Sequence, residues 1–340
     1  MSAIRVLVVD DSAFARKVVR ESLLTSPLIE VVGIARDGID ALEKIAELNP
    51  DVITLDLVMP NLDGLGVLAA LTPEQRARVV VVSMADVESD IGVAALAFGV
   101  FDLVHKPTAL AVASLHDIAE ELVDKVLLAA AQPVARAHGA EVEVPEAPIH
   151  PTSDKVVLIG TSTGGPQALT RILRAIPADF PAPIAIVLHI PPGFTAPFAE
   201  RLNAECAIEV LEAAEGVELR PGRAVLARAG VHLRLEREGD ALTAHLDPSP
   251  VDSIHRPSVD VLFESAARAL GARALGVVLT GMGSDGLDGA RAITDAGGRV
   301  LTETEATCIV YGMPRVVKEA GLSVAEAPLE QMLAAITRHL

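Results

Sequence analysis

The chain of 340 residues has very few aromatic side chains: 2% of its residues, with no tryptophan and one tyrosine. Its cores must therefore be aliphatic, which is feasible because 51% of the residues are hydrophobic. There are only two cysteines, Cys206 and Cys308, far apart and without the spacing of a metal site. We expect two small core thiols in a reducing compartment rather than a disulfide.

Positive charge is also scarce, since 28 Lys and Arg face 46 Asp and Glu, a formal net charge of −18. Such a chain repels phosphate backbones and anionic lipid, and it has no basic helix-turn-helix segment, so we expect no nucleic-acid partner. No apolar run approaches the length of a membrane span. The N-terminal MSAIRVLVVDD runs straight into a strand pattern without a signal peptide. These features predict a cytoplasmic protein without membrane insertion.

The length predicts two domains, and the pattern divides accordingly. Up to a helix near Leu115–Ala131, five β-branched runs alternate with amphipathic helices, which predicts a five-stranded, doubly wound parallel sheet over residues 1–131. Residues 132–153 are rich in Pro, Ala and Glu and lack periodicity, which is typical of an extended linker. Residues 154–340 resume an α/β pattern. We expect a largely parallel sheet there, with a hairpin-like region around residues 208–247.

Polar residues stand at matching strand ends of the first domain. Ligands of parallel sheets bind outside the carboxyl ends of the strands. The five residues at those ends are Asp10, Asp11, Asp56, Ser83 and Lys106. Three converging carboxylates repel one another, and Mg²⁺ would relieve that repulsion. The chemistry that fits is attack by an Asp carboxylate on phosphorus. The plainer interpretation, that each residue merely ends a strand, is better for any one of them and poor for all five.

Three strand ends of the second domain carry a serine, a histidine and an aspartate. Ser162 is the central residue of a G-x-S-x-G turn, Gly160–Gly164, between a strand and a helix. Such a turn can also bind a phosphate, or Ser162 can be a helix N-cap. His189 ends the next apolar strand, and Asp285 lies in a glycine-rich turn after another. The three can act as nucleophile, base and orienting group of acyl transfer, although their order differs from that of ordinary α/β-hydrolases.

A nucleotide site is the main rival interpretation. Gly281, Gly283 and Gly286 match a dinucleotide-binding fingerprint, and an acidic residue, Glu303 or Glu305, follows about 20 residues later. However, Asp285 lies inside the loop where the pyrophosphate would bind and would repel it. We therefore do not expect NAD binding.

The first domain resembles the response-regulator receiver family in VVDDS, LDLVMPNLDGL, VVSM and KP. The resemblance implies that Asp56 accepts a phosphoryl group, that Asp10 and Asp11 help to hold Mg²⁺, and that Ser83 and Lys106 contact the phosphoryl group. Such receivers usually have an aromatic residue at the position of Leu103 and often a threonine at that of His105. This departure puts in question a switching relay through a rotating aromatic ring, but not phosphorylation.

The second domain resembles the chemotaxis protein-glutamate methylesterase (CheB) family. The resemblance is carried by IGTSTGGPQAL, LHIPPGFT, HRPSVDVLF, LTGMGSDG and YGMPR. It implies that Ser162, His189 and Asp285 form the catalytic triad. Oxyanion donors would be backbone amides near Thr163 and Met282. The residues that would line the site are His255, Arg256 and Ser258, although Ser258 is equally a helix cap and His255 an ordinary turn residue.

The family resemblance also implies a function. The expected reaction is hydrolysis of glutamate methyl esters on chemoreceptors. The same route could deamidate receptor glutamines, and the sequence leaves open whether this chain does so. A chemotaxis histidine kinase would phosphorylate the receiver, and the unphosphorylated receiver would cover the hydrolase cleft. The alternative is a response regulator whose output domain only binds a partner. Loss of a triad residue would favour that alternative, and all three are present.

Overall fold

A computed structural model describes residues 3–76, 78–83, 85–106, 115–131, 142, 153–239, 241–251 and 253–340. The chain divides into two compact units, residues 1–138 and 139–340. The predicted linker, residues 132–153, lies outside the described residues except for residues 142 and 153. Within the described part, no helix combines the length and apolar character needed to cross a membrane.

The N-terminal unit is a five-stranded parallel sheet with the strand order β2-β1-β3-β4-β5. Its elements are β1 Ile4–Val9, α1 Ala13–Leu23, β2 Ile29–Ala35, α2 Gly38–Leu48, β3 Val52–Leu55, α3 Gly64–Ala70, α4 Pro73–Arg76, β4 Val79–Ser83, α5 Ala85–Ala97, β5 Asp102–His105 and α6 Leu115–Ala131. The central strands are buried because helices cover both faces, which explains their unbroken apolar runs. The sheet reverses its winding between β1 and β3, so Asp10 and Asp56 meet at that edge.

The C-terminal unit contains a seven-stranded sheet in the order β14-β13-β12-β6-β7-β9-β8, and every neighbouring pair in it is parallel. Its elements are β6 Val156–Thr161, α7 Gly165–Ala175, β7 Ile184–Leu188, α8 Thr195–Glu205, β8 Glu209–Glu212, β9 Arg223–Leu226, β10 His232–Glu238, β11 Ala241–Asp247, α9 Val259–Leu270, β12 Ala274–Val278, α10 Leu287–Asp295, β13 Arg299–Glu303, α11 Met313–Glu319, β14 Ala325–Ala327 and α12 Leu329–His339. The largely parallel sheet predicted for this part of the chain is therefore present.

The hairpin-like region predicted around residues 208–247 is only partly a hairpin. β10 and β11 form an antiparallel pair, but β8 and β9 pair in parallel and extend the main sheet. The reason is burial: β9 has three consecutive buried residues, as a strand covered on both faces requires. β11 instead alternates buried and half-buried residues, as a strand with one wet face does.

Helix α9 packs closely on the centre of the main sheet. A Cβ atom on Gly160 of β6 would lie 2.3 Å from Val259 Cγ1, so only glycine permits this approach. Phe263, one turn further along, is fully buried in the core. The close packing fixes the N-terminus of α9 at the carboxyl edge of the sheet.

We predict that Phe263→Ala lowers the free energy of unfolding of the C-terminal unit by about 3–5 kcal/mol, because the side chain leaves a cavity under α9. The chain has no tryptophan and a single tyrosine, Tyr311. Tyrosine fluorescence in a denaturant titration therefore reports on the unfolding of this unit. Val324→Ala is the control, since Val324 belongs to the same unit and is 54% exposed. A loss no larger than that of the control would contradict the packing described for α9.

Candidate active site

The main sheet of the C-terminal unit reverses its winding at β6, which lies between β12 and β7. Ligands of open parallel sheets bind at such a reversal, beyond the carboxyl ends of the strands. Ser162 and His189 follow the paired residues Thr161 and Leu188, and the His189 N–H donates to Thr161 O at 3.1 Å. The Ser162 N–H donates to Thr280 O at 3.1 Å, beyond the end of β12.

The turn that carries Ser162 is fixed on both sides by Thr280. Thr161 Oγ1 donates to Thr280 O at 2.7 Å, and Thr280 Oγ1 donates to Thr163 O at 3.0 Å. A Cβ atom on Gly281 would lie 2.9 Å from Ser162 Cβ, so a side chain there would displace the serine. The next residue after Thr163, Gly164, has φ 81°, the left-handed conformation that favours glycine. The small residues of these motifs therefore present Ser162 at a tight strand-to-helix turn.

Two backbone amides near Ser162 are available to a ligand. Within the described part of the chain, the N–H groups of Thr163 and Met282 donate to no acceptor. Thr163 is buried, whereas Met282 is 36% exposed. Unpaired buried N–H groups are rare in proteins, so this pair supports the predicted oxyanion site.

His189 is bound to Asp285 through one ring nitrogen. His189 Nε2 lies 2.8 Å from Asp285 Oδ2, whereas the buried Nδ1 has no hydrogen-bond partner among the described residues. The ring of His255 stacks on that of His189, with 4.1 Å between centroids and 17° between planes. Nε2 is therefore engaged by the carboxylate, and Nδ1 remains for proton exchange with a hydroxyl group.

The Asp285 carboxylate lies at the N-terminus of α9. Oδ2 accepts from the Val259 N–H at 2.7 Å, and Oδ1 accepts from the Asp260 N–H at 3.0 Å and from Ser258 Oγ at 2.8 Å. Burial by itself raises the pKa of Asp285, but His189 and these N–H groups lower it below its ordinary value. The carboxylate therefore stays ionised, because the helix N-terminus supplies donors aligned with its positive dipole end.

The carboxylate of Asp260, in the first turn of α9, binds the N-terminus of the next helix, α10. Asp260 Oδ1 accepts from the N–H groups of Gly286 and Gly289 at 2.9 and 2.7 Å, in the first turn of α10. Burial raises the pKa of Asp260 to about 7, and the negative charge of Asp285 adds to the rise against the opposing Gly289 N–H. The turn that carries Asp285 is thus tied to α9 from both directions. The sequence analysis missed Asp260, although its place two residues after Ser258 in a capping pattern is a usable signal.

His232 binds the residue that caps the N-terminus of α9, Ser258. The ring is fully buried: Nε2 donates to Pro250 O at 3.1 Å, and Nδ1 accepts from the Ser258 N–H at 3.2 Å. Burial lowers the pKa of His232, so the neutral form with the proton on Nε2 is favoured. His232 thus joins the two ends of the loop that carries His255. No pattern near residue 232 signals this role, because the contacts are distant in sequence.

The predicted site-lining residues differ in position. His255 and Ser258 contact the site directly, through the ring stack on His189 and the hydrogen bond to Asp285. Ser258 is also the predicted helix cap, since its Oγ accepts from the Val261 N–H at 3.4 Å. Arg256 is exposed, and its carbonyl accepts from the Gly230 N–H at 2.9 Å. Asp285 itself lies against α9, so a pyrophosphate bound at the glycine-rich turn would meet an anion, as the sequence analysis expected.

The acidic cluster of the N-terminal unit is assembled as predicted. Asp10, Asp11 and Asp56 each place a carboxylate oxygen within 4.8 Å of the others. Lys106 Nζ lies 2.6 Å from Asp56 Oδ2 and 2.9 Å from Asp10 Oδ2. Burial lowers the pKa of Lys106, but hydrogen bonds to the two carboxylates raise it above its ordinary value. A charged ammonium thus offsets the repulsion between two nearly inaccessible carboxylates.

Ser83 lies at the same edge, and Leu103 does not. Ser83 is buried at the end of β4, and its carbonyl accepts from the Lys106 N–H at 2.8 Å. Leu103 is 1% exposed in the core of the unit. Leucine has no aromatic ring that could rotate, so a switching relay through a rotating ring at this position is not available to this chain.

Comparison with known proteins assigns both units. A family model described as CheB methylesterase matches residues 157–336, and one described as response regulator receiver domain matches residues 6–118. A relative in Myxococcus xanthus (strain DK1622), named protein-glutamate methylesterase/protein-glutamine glutaminase 5, is 61% identical over 345 residues, which cover 100% of this chain and 99% of the relative. The chain belongs to the CheB methylesterase family.

Another relative matches this chain over nearly its full length. The protein-glutamate methylesterase/protein-glutamine glutaminase of Geobacillus kaustophilus (strain HTA426) is 42% identical over 346 residues, 99% of each chain. The crystal structure of the Thermotoga maritima CheB methylesterase catalytic domain is similar to the C-terminal unit. It has a TM-score of 0.54 and 38% identity, and covers 56% of this chain and 100% of that one. These matches confirm the predicted family, fold class and enzyme class.

We predict that Ser258→Ala lowers kcat for ester hydrolysis about tenfold with little change in KM, because Asp285 loses one of its charge-assisted hydrogen bonds. Ser258→Thr, which keeps the hydroxyl group, is the matched control. Steady-state kinetics on both variants checks the prediction. Equal losses in the two variants would mean that the hydroxyl contact with Asp285 is unimportant.

A second prediction concerns pH and Asp260. An unfolded aspartate loses its proton near pH 4, roughly, whereas folded Asp260 holds it up to about pH 7. The stability that this proton provides is therefore complete at low pH and is lost as the pH rises through that window. Asp260→Asn cannot ionise, so its denaturation midpoint, followed by Tyr311 fluorescence between pH 4 and 8, should fall less than that of the parent chain. Parallel falls would contradict the raised pKa.

Proposed function

We propose that this chain hydrolyses glutamate γ-methyl esters on chemoreceptors and that phosphorylation of its receiver controls the reaction. The observation that carries the proposal is the His189–Asp285 pair. It is held by the N-terminus of α9 beside the turn of Ser162, at the winding reversal of the sheet. The names of the relatives, which include protein-glutamate methylesterase, support the substrate class.

Acylation uses three groups of the C-terminal unit. His189 Nδ1 takes the proton of the Ser162 hydroxyl group as Oγ attacks the ester carbonyl. The N–H groups of Thr163 and Met282 stabilise the negative charge on the carbonyl oxygen. Asp285 holds Nε2 of the ring and stabilises the imidazolium. Methanol leaves with the proton that His189 returns, and the glutamyl group remains on Ser162.

Deacylation repeats the steps with water. His189 removes a proton from a water molecule as the water oxygen attacks the acyl carbon. His189 then returns the proton to Ser162 Oγ as the acyl–Oγ bond breaks, which releases a free glutamate side chain. A glutamine amide can follow the same route with ammonia as the leaving group. The relatives' names include protein-glutamine glutaminase, which favours this second activity for the present chain.

The receiver supplies the proposed control. Asp56 would accept the phosphoryl group, and Asp10, Asp11 and Asp56 would hold Mg²⁺, for which a cluster of carboxylate oxygens is a suitable donor set. Bound Mg²⁺ would neutralise charge on the phosphoryl oxygens. Lys106 and Ser83 lie at the same edge and would bind those oxygens. The phosphodonor would be a chemotaxis histidine kinase, and the compartment would be the cytoplasm.

We predict that Ser162→Ala abolishes methanol release from a methyl-esterified receptor fragment, because no nucleophile remains. The Tyr311 unfolding transition should not change, since Ser162 is only half-buried and its hydroxyl group forms no hydrogen bond with the described residues. Thr170→Ala, on the neighbouring helix α7, is the control and should retain turnover. Methanol release by the Ser162 variant would remove the serine mechanism.

We also predict that a small phosphodonor with Mg²⁺ raises methanol release by the parent chain, and that Asp56→Asn loses this rise. The amide keeps the volume of the carboxylate in the buried site but is not a phosphoryl acceptor. Basal release without phosphodonor is the internal control. An undiminished response in Asp56→Asn would place the phosphoacceptor elsewhere, and release that never responds would reject the control by phosphorylation.

A further inference from the structure

Two exposed arginines flank the Ser162 site, Arg228 and Arg256, which we name the arginine rim. Arg228 follows β9, whose Leu226 pairs with Ile186 of β7. Arg228 is therefore two residues beyond this pair, and His189 is three residues beyond it on the adjacent strand. Neighbouring strands lie about 5 Å apart, so the backbone of Arg228 lies near that of His189.

Arg256 lies on the loop before α9. It directly follows His255, whose ring lies 4.1 Å from that of His189. Its carbonyl accepts from the Gly230 N–H at 2.9 Å, so its backbone is joined to the segment that carries Arg228. Both arginines thus stand on one flank of the carboxyl edge where a substrate must approach.

The charges of the rim are not neutralised by the described residues, with which neither guanidinium forms an ion pair or hydrogen bond. Two arginines on neighbouring strands are paired: Arg223 with Glu209 and Arg234 with Asp247, both at 2.8 Å. Carboxylates on neighbouring elements are already engaged: Glu212 accepts from Thr195 Oγ1, and Asp285 is held by α9 and His189. The rim therefore presents two uncompensated positive charges beside the site, in a chain of net charge −18.

We propose that the arginine rim binds carboxylates on the acidic protein surface that surrounds the substrate ester. The inference rests on the proposed function. Methyl esters form on glutamates, so unesterified glutamates near a substrate site remain as anions. Arginine binds carboxylates through paired N–H donors, which positions the surface as well as attracting it. The rim would therefore favour receptor surfaces that still carry free glutamates beside the ester.

The test measures binding and turnover separately. The probe is a methyl-esterified receptor fragment whose neighbouring sites are all Glu or all Gln. Kd is measured on a Ser162→Ala background, and kcat and KM on the chain with Ser162. A neutral capped glutamate γ-methyl ester serves as the small substrate that does not reach the rim.

The variant is Arg228→Glu combined with Arg256→Glu. We expect Kd and KM for the Glu fragment to rise about tenfold, with a smaller change for the Gln fragment, because only the former offers carboxylates. High salt should reduce this difference, since the contacts are exposed. For the neutral ester, kcat/KM should fall much less than for the Glu fragment, because this ester offers the rim no carboxylate. Arg237→Glu is the matched control, as Arg237 is exposed on β10, five residues along the strand from His232.

Four results would overturn the proposal. An unchanged Kd for the Glu fragment, or equal changes for both fragments, would show that the rim does not bind carboxylates. An equal loss with the neutral ester would show that the arginines position the catalytic groups instead. A rise in basal turnover of both substrates would show that the two arginines bind another part of this chain rather than the substrate. If the parent chain binds the fragment through the rim but releases no methanol, the esterase function fails and the rim stands.

Discussion

The proposed active site depends on a buried carboxylate, Asp285, bound at the N-terminus of helix α9. Two N–H groups of the helix and the Ser258 hydroxyl group hold it, and it in turn binds His189 Nε2. A buried anion would ordinarily take up a proton, but the helix end and the histidine keep it charged. Because α9 packs on Gly160 of β6, the same helix fixes the distance between this carboxylate and the Ser162 turn. Packing and catalysis therefore share one element.

The receiver also contains buried carboxylates, but it stabilises them in a different way. Asp10 and Asp56 are almost inaccessible, and the positive charge that accompanies both is the Lys106 ammonium. Asp10 also accepts from the N–H of Ser12, the N-cap of α1, at 2.8 Å. An ammonium on a flexible side chain can move when a phosphoryl group adds negative charge, whereas a helix N-terminus cannot. A mobile partner suits a site that is modified and restored, and a fixed partner suits a site that must be ready for each turnover.

Much of both sites could be predicted because their residues end strands. In a parallel sheet the carboxyl ends meet at one edge, so the topology predicts that Ser162, His189 and Asp285 lie at the same edge of the sheet. The short strands β8 and β9 were less predictable, since brief apolar runs fit a hairpin or a buried strand equally well. His232, Asp260 and Arg228 escaped prediction for a different reason. Their significance lies in contacts with residues distant in sequence, such as Ser258, Gly286 and the segment of Arg256, which no local pattern records.

The measurement that tests the central claim most directly is the ¹⁵N NMR spectrum of the His189 imidazole at a pH where it is neutral. We expect a proton on Nε2, bound to Asp285, and a bare Nδ1 able to take the Ser162 proton. Asp285→Asn should lose this preference and, with it, most of the turnover. A proton on Nδ1 in the parent chain, or a ring that exchanges freely between both forms, would contradict the account, because Asp285 would then not orient the base.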